Sequence, residues 1–302
     1  MSKRVMTYMK RAYERGILVP AFNAAYLQMV KPICETLERL GTFGMCEVAR
    51  PDIEKFGAKS FEITFREYRE YANPEFVSLH QDHVPVIDED GEEVDYMALL
   101  NQAIGLGYDS VMVDGSRLSM EENMRITGDV ARMAHEKNVP VEAELGAVLG
   151  HERGPLPPYE ELFESGKGFT GPEDAGRFVK ETGVDWLSIA VGNIHGAISG
   201  AAKDEEKVNA RLSIPHLKKI RAATGIPLVL HGGSGIRREY LLEAIQHGIT
   251  KINIGTDIRH AYEQGLGKTG DVPKAQDEVS RAMERLIVDY YEIKGSAGKL
   301  QA

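Results

Sequence analysis

Short apolar runs alternate along the chain with longer segments whose apolar positions recur at helical spacing. The runs are Ile17–Phe22, Phe43–Val48, Phe76–His80, Ser110–Asp114, Pro140–Glu144, Trp186–Val191, Pro227–Leu230 and Lys251–Ile254. Several are nearly continuous in Val, Ile, Leu and Met, as strands covered on both faces must be. Helical periodicity occupies Leu27–Leu40, Asp95–Gly105, Met120–Lys137, Glu173–Glu181, Pro215–Ala223, Arg238–His247 and Ala275–Ile293. Gly41, Gly107 and Gly225 closely follow predicted helices and read as stop signals. Eight strand–helix units in 302 residues predict one α/β domain, residues 1–302, folded as a (β/α)8 barrel. A doubly wound sheet fits less well. The first strand is not followed by G-x-G-x-x-G, and polar residues mark nearly every strand end rather than one crevice. The long break Gly146–Gly171 after the fifth strand, with Pro155, Pro157 and Pro158, reads as a lid. The stretch Ala275–Ile293 is expected to close the barrel, and the tail Lys294–Ala302 to fray.

Barrel enzymes place their chemistry at the C-terminal strand ends. Three of those ends carry a histidine beside glycine or a carboxylate: Asp82-His83, Asn193-Ile194-His195-Gly196 and His231-Gly232-Gly233-Ser234-Gly235. On one rim, His83, His195 and His231 form a ligand set for zinc or another borderline divalent ion, with a coordination position left open. The competing reading is three unrelated structural histidines. Gly232-Gly233-Ser234-Gly235 after the seventh strand and Asn253-Ile254-Gly255-Thr256 after the eighth predict a phosphate cradle of backbone N–H groups. Asp82 is either a general acid–base or a group that orients a ligand ring. Asp114 and Glu144 are either a second cation site or interior carboxylates. Glu152, in the long break, is either brought to substrate by lid closure or a solvated charge.

Composition narrows the field further. With 46 acidic against 36 basic side chains and a net charge of −10, a broad nucleic-acid-binding surface is excluded, whereas small phosphorylated ligands are not. Cys34 and Cys46 both fall in predicted core elements, which argues against a disulfide framework. No uncharged apolar run approaches the ~20 residues of a membrane span. Met1-Ser2-Lys3-Arg4 runs into an amphipathic pattern without an apolar signal region, so the expectation is a cytoplasmic protein with no membrane partner.

The ordered segments Val19-Pro20-Ala21-Phe22-Asn23, Leu79-His80-Gln81-Asp82-His83, Ser110-Val111-Met112-Val113-Asp114-Gly115-Ser116, Val141-Glu142-Ala143-Glu144-Leu145-Gly146, Ile189-Ala190-Val191-Gly192-Asn193-Ile194-His195-Gly196, Leu228-Val229-Leu230-His231-Gly232-Gly233-Ser234-Gly235 and Lys251-Ile252-Asn253-Ile254 cover nearly the whole chain. Together they resemble the class II, metal-dependent ketose-bisphosphate aldolases, which include the fructose- and tagatose-bisphosphate enzymes. The resemblance implies a TIM barrel with catalytic Zn²⁺, or Co²⁺ in its place, on His83, His195 and His231. It implies that Asp82 handles the proton of the hydroxyl beside the cleaved bond, that Glu152 is the carbon acid–base and that Asn253 steadies the enediolate. Gly196, Gly232, Ser234 and Thr256 would hold the phosphate of dihydroxyacetone phosphate beside a monovalent cation, and Asp114 with Glu144 would match a second metal position. A homodimer or homotetramer packed through outer helices is implied as well.

Three departures from the family pattern concern the aldehyde half of the site. Glu47-Val48-Ala49-Arg50-Pro51-Asp52 replaces the usual Ser/Thr-Gly turn after strand 2, Gly255 replaces a common acidic residue, and Asp271-Val272-Pro273-Lys274 replaces Asp-Pro-Arg. Arg50 and Lys274 are the candidates to replace that arginine. Fructose 1,6-bisphosphate is the first substrate expected; tagatose 1,6-bisphosphate or a ketose 1-phosphate is the alternative. A class I imine mechanism is disfavoured because Lys251, at the start of the predicted eighth strand, stands at the wrong end. A barrel metal hydrolase would carry His-x-His where Pro20-Ala21-Phe22-Asn23 stands. A non-catalytic sugar-phosphate-binding barrel would have no need for this full set of polar residues.

Overall fold

Eight parallel strands close into a barrel in chain order: β1 (Val19–Asn23), β2 (Gly44–Ala49), β3 (Val77–Pro85), β4 (Ser110–Asp114), β5 (Val141–Leu145), β6 (Trp186–Ile189), β7 (Leu228–Leu230) and β8 (Ile249–Ile254). The computed structural model describes residues 2–146, 158–193, 210–233 and 235–302. β8 pairs with β1 through Val19↔Lys251 and Ala21↔Asn253, so the sheet has no free edge. Most strand boundaries differ from the sequence reading, and two of the differences bear on the site. β3 extends to Pro85, so His83 lies inside the strand, and β8 begins at Ile249, so Lys251 stands in mid-strand.

Side chains alternate across a strand, so every second residue of a closed barrel points into the enclosed space. That space is filled in layers. At the N-terminal end, Val19, Ala21, Phe43, Met45, Trp186 and Val229 form an apolar cluster. Val5, Tyr8, Met9 and Ala12 of the helix Ser2–Arg15 join it from below. Above it lies a charged layer of Glu47, His80, Glu142 and Lys251, each 0% exposed. Asn23, Asp82, Glu144, His231 and Asn253 follow at the C-terminal end. A larger apolar shell between strands and helices includes Leu37, Leu79, Val111, Phe178, Leu217 and Ile258.

The helices are delimited largely as their termini dictate. Ser119 and Glu122 make a reciprocal capping box at the start of Met120–Glu136. Gly107 (φ 104°) and Gly225 (φ 66°) stop the helices Tyr96–Leu106 and Ile214–Thr224 in the left-handed region. Among the described residues of the predicted break at Gly146–Gly171, Tyr159–Ser165 is helical. The expected single helix at Ala275–Ile293 is instead Val272–Glu284 followed by a π-helical turn, Arg285–Tyr290. It packs outside, on the helices Thr256–Thr269 and Val30–Arg39, so the β8–β1 ladder rather than this helix closes the barrel.

The tail does not fray. Ser296–Gln301 is helical, Ala297 and Leu300 are buried in the apolar cluster at the barrel bottom, and Arg11 Nη1 donates to the Leu300 carbonyl at 2.6 Å. Burial of two apolar side chains and a cation on the terminal carbonyls outweigh the entropy of ordering a short helix. Leu300→Ala is therefore expected to cost about 2–4 kcal/mol and to lower the melting temperature measurably; an unchanged thermal melt would mean that the tail is not docked. Gly192 has φ 112°, and a Cβ there would lie 2.4 Å from the Arg211 carbonyl. Gly192→Ala should thus cost more than about 2 kcal/mol in the same melt.

Candidate active site

The upper barrel interior gathers residues from strands distant in sequence. Asp82, on β3, is 1% exposed. Asn23 Nδ2, from β1, donates to its Oδ2 at 2.9 Å, and Asn253 Nδ2, from β8, donates to its Oδ1 at 2.9 Å. The carboxylate is thus clamped from two sides. Burial pushes its pKa upward, but the charges of His83 and Lys251 prevail and bring it down to about 2. Asp82 is therefore held ionised, with both oxygens fixed in position.

His83 follows in an unusual backbone state. Its φ is 40°, in the left-handed region that a β-carbon disfavours, and the β3–β4 register shifts between Gln81 and Val84. In regular β alternation, Asp82 and His83 would face opposite sides of the sheet. The irregularity turns the imidazole back, so that its ring centroid lies 4.3 Å from that of His231 and its Nδ1 lies 3.4 Å from Asp114. Such strain persists only where the surrounding structure fixes it, and it clusters at functional sites.

His231 follows β7 directly and is fully buried. Its Nε2 lies 2.9 Å from Glu142 Oε1 and its Nδ1 2.9 Å from Glu144 Oε2. Desolvation disfavours a charged ring, but these two carboxylates raise the pKa to about 10. The ring is cationic here, and a divalent ion would take the place of its proton. With Nε2 facing Glu142, Nδ1 is the nitrogen available for a ligand on the Glu144 side. His83 behaves similarly: desolvation opposes the charge, yet Asp82 carries its pKa to about 9.

Ligand atoms from Asp82, His83 and His231 lie within 4.8 Å of one another, and so do those from His83, Asp114 and Glu144. These two groups share His83, and each combines imidazole with carboxylate, a donor set that suits a divalent cation. His195, the third histidine, lies outside the described residues, as do Gly196, Glu152 and Ser234. Gly232 follows β7 with φ 68°, and Thr256 opens the helix Thr256–Thr269 after β8. Because Leu230 pairs with Ile252, these two positions lie at neighbouring strand ends. A Cβ on Gly233 would meet Ile252 at 2.6 Å, so this turn requires glycine.

Several contributors had no assigned role in the sequence. Asn23 holds Asp82. Glu142 accepts from His231 and from Trp186 Nε1, the latter at 2.7 Å. Asn193 Nδ2 donates to the His231 carbonyl at 3.0 Å. Lys251 lies below this layer, its Nζ 2.9 Å from Glu142 and 3.2 Å from Glu47. The alternation rule applied backwards from Asn253, Glu144 and Asp82 would have placed Lys251, Glu142 and His80 on the same inward face. Arg50, beyond β2, pairs with Glu54 at 2.5 Å and Asp88 at 3.2 Å. Lys274 is on an outer helix, 3.9 Å from Asp271 and well exposed.

Comparison with known proteins places this geometry in a family. Residues 3–299 match the model of class-II fructose-bisphosphate aldolases. A fructose-bisphosphate aldolase of Helicobacter pylori is 28% identical over 322 aligned positions, covering 96% of this chain and 97% of that protein. The fructose-bisphosphate aldolase of Geobacillus stearothermophilus is 37% identical over 190 residues, a match spanning 63% of this chain and 58% of the relative. The crystal structure of the YdjI aldolase from Escherichia coli superposes with a TM-score of 0.77 at 25% identity, covering 97% of this chain and 98% of that one. The chain belongs to the class-II fructose-bisphosphate aldolase family, a family of metal-dependent aldehyde-lyases that act on phosphorylated sugars.

Proposed function

We propose that the chain is a single-barrel zinc aldolase that cleaves fructose 1,6-bisphosphate to dihydroxyacetone phosphate and glyceraldehyde 3-phosphate. The observation that carries this reading is the clamped, ionised Asp82 beside the converging rings of His83 and His231. Those two imidazoles, with His195 as third, would hold Zn²⁺, or Co²⁺ in its place; Asp114 and Glu144 offer a second position, with a monovalent cation near the phosphate. When bound, the ion supplies Lewis-acid stabilisation of negative charge as it develops on the substrate oxygens.

The chain's own residues do the rest. Asp82 takes the proton of the hydroxyl on the carbon that becomes the aldehyde; the carbon–carbon bond breaks and its electron pair remains on the ketone fragment as an enediolate. The Asn253 amide has a second N–H with which to hold the enediolate oxygen, and Glu152 returns a proton to carbon. Gly196, Gly232, Ser234 and Thr256 present N–H and hydroxyl donors to the ketone-side phosphate. Lys251 is no imine nucleophile: burial would lower its pKa, but Glu142 and Glu47 raise it above the ordinary lysine value. A cytoplasmic homodimer or homotetramer completes the proposal, in keeping with the family's packing and with the absence, among the described residues, of any helix long and apolar enough to cross a membrane.

One observation favours a second substrate reading. The guanidinium of Arg50 is already compensated by Glu54 and Asp88, and Lys274 is held near Asp271 on an outer helix. Arg50 is thus not a free cation for a second phosphate, and Lys274 points from an outer helix as an exposed side chain. A ketose 1-phosphate whose aldehyde half carries no phosphate therefore ranks next, followed by tagatose 1,6-bisphosphate.

The direct test is to incubate metal-loaded protein with dihydroxyacetone phosphate and a panel of phosphorylated and plain aldehydes, and to identify the adducts. Fructose 1,6-bisphosphate from glyceraldehyde 3-phosphate is expected; adducts of plain aldehydes alone would select the ketose 1-phosphate. Chelator should abolish cleavage and Zn²⁺ or Co²⁺ restore it, while borohydride added with substrate should leave activity intact. Inactivation by borohydride would reveal an imine and sink the mechanism. Asp82→Ala should lower kcat by roughly 10²–10⁴-fold at near-normal metal content. Glu142→Gln should instead weaken metal affinity by about 10–100-fold, read by metal titration.

A further inference from the structure

Lys251 is fully buried, yet the proposed chemistry gives it no step. Its ammonium has three protons, and three oxygens surround it: Asn253 Oδ1 at 2.7 Å, Glu142 Oε2 at 2.9 Å and Glu47 Oε2 at 3.2 Å. Burying such a cation is expensive, and neutral packing of the same volume would often be at least as stable. Its contacts point to a local task.

Asn253 is two residues along the same strand and faces the same side. Because Lys251 has donors only, it can contact only the oxygen end of the Asn253 carboxamide. The nitrogen end is then turned to Asp82, where Nδ2 donates to Oδ1 at 2.9 Å. A rotated carboxamide would set its NH2 against the ammonium and its oxygen against the Asp82 carboxylate, two repulsive contacts in place of two hydrogen bonds. The ammonium also polarises the amide, which strengthens the N–H donated to Asp82. The Lys251–Glu142 pair anchors the cation from the opposite wall, and Trp186 Nε1 fixes Glu142 in turn.

We propose that Lys251 is a positioning residue for bond cleavage, acting through the Asn253 carboxamide to hold the Asp82 carboxylate in register with the substrate hydroxyl. This rests on the aldolase reading above. A group that aligns a base but does not touch substrate should change turnover rather than ground-state binding.

The test uses the full-length protein with Lys251→Met. Metal stoichiometry and the KM for the ketose phosphate should stay near wild type, while kcat falls by about 100-fold. If Lys251 acts through Asn253, Lys251→Met/Asn253→Ala should be no slower than Asn253→Ala alone; full additivity of the two losses would overturn the proposal. A readout independent of turnover is the Asn253 side-chain amide resonance, assigned by its loss in Asn253→Ala and followed in metal-free protein. Its protons should exchange slowly with solvent in wild type and rapidly in Lys251→Met, and equal rates would overturn the link. If Lys251→Met fails to fold, Lys251→Met/Glu47→Gln measured against Glu47→Gln gives the same comparison with one fewer buried carboxyl to satisfy. A wild-type protein that makes no aldol adduct would refute the proposed function, while the amide exchange would still decide whether Lys251 orders Asn253.

Discussion

The ion pair between Lys251 and Glu142 crosses the barrel from β8 to β5, and the working layer is built on it. Two opposite charges at 2.9 Å in a buried interior attract strongly, but each has given up bulk hydration, so the pair is tolerable only if the other donors and acceptors nearby are served. Glu142 and Lys251 meet that condition: Glu142 accepts hydrogen bonds from Lys251, Trp186 and His231, and Lys251 also donates to Asn253. Glu47 Oε1 and His80 Nε2, in the same layer, have no hydrogen-bond partner among the described residues. Burial raises the pKa of Glu47 well above the usual carboxylate value. Glu142 goes the other way: burial acts upward on it too, but Lys251 and His231 hold it below that value. Burial acts upward on both carboxyls, but the cations beside Glu142 reverse the shift there, whereas Lys251 does not reverse it at Glu47.

From this layer the polar order extends upward by the strand repeat. Lys251 leads to Asn253, Glu142 to Glu144 and His80 to Asp82, each pair two residues apart and on one face. A regular strand would have continued β3 with an inward residue at 84 and left His83 outside. The positive φ at His83 breaks the alternation at that point and adds a second consecutive inward group. Backbone strain of order 1–3 kcal/mol is the cost of that exception. Asp114 on β4 and the facing His231 define where the strained ring comes to rest.

This division between regular and irregular also explains what could be read from the chain. Strand positions were legible because apolar runs covered on both faces have no other stable home in a chain of this length. The glycine stops at 107 and 225 were legible because positive φ is cheap only for glycine. Lys251 was misjudged because its strand starts earlier than the apolar run suggests, at Ile249. The tail was misjudged because its docking depends on Arg11, nearly the whole chain length away, and on the open bottom of a barrel not yet assembled. No local pattern encodes such a contact. The positive φ at His83 was equally invisible, since histidine has no intrinsic need for it.

The rim opposite the ketone half follows a different logic. Asp88 accepts the backbone N–H groups of Asp90 and Glu92, which pin the loop after β3, and it then pairs with Arg50 from the helix after β2. Burial opposes the Arg50 charge and Glu54 and Asp88 favour it, with the net effect of strengthening it. To bind a substrate phosphate, the guanidinium would have to leave both carboxylates, exchanging two charge-assisted contacts for one. The carboxylates so released would then repel the same phosphate. The contacts that order this rim thus work against an anion at Arg50.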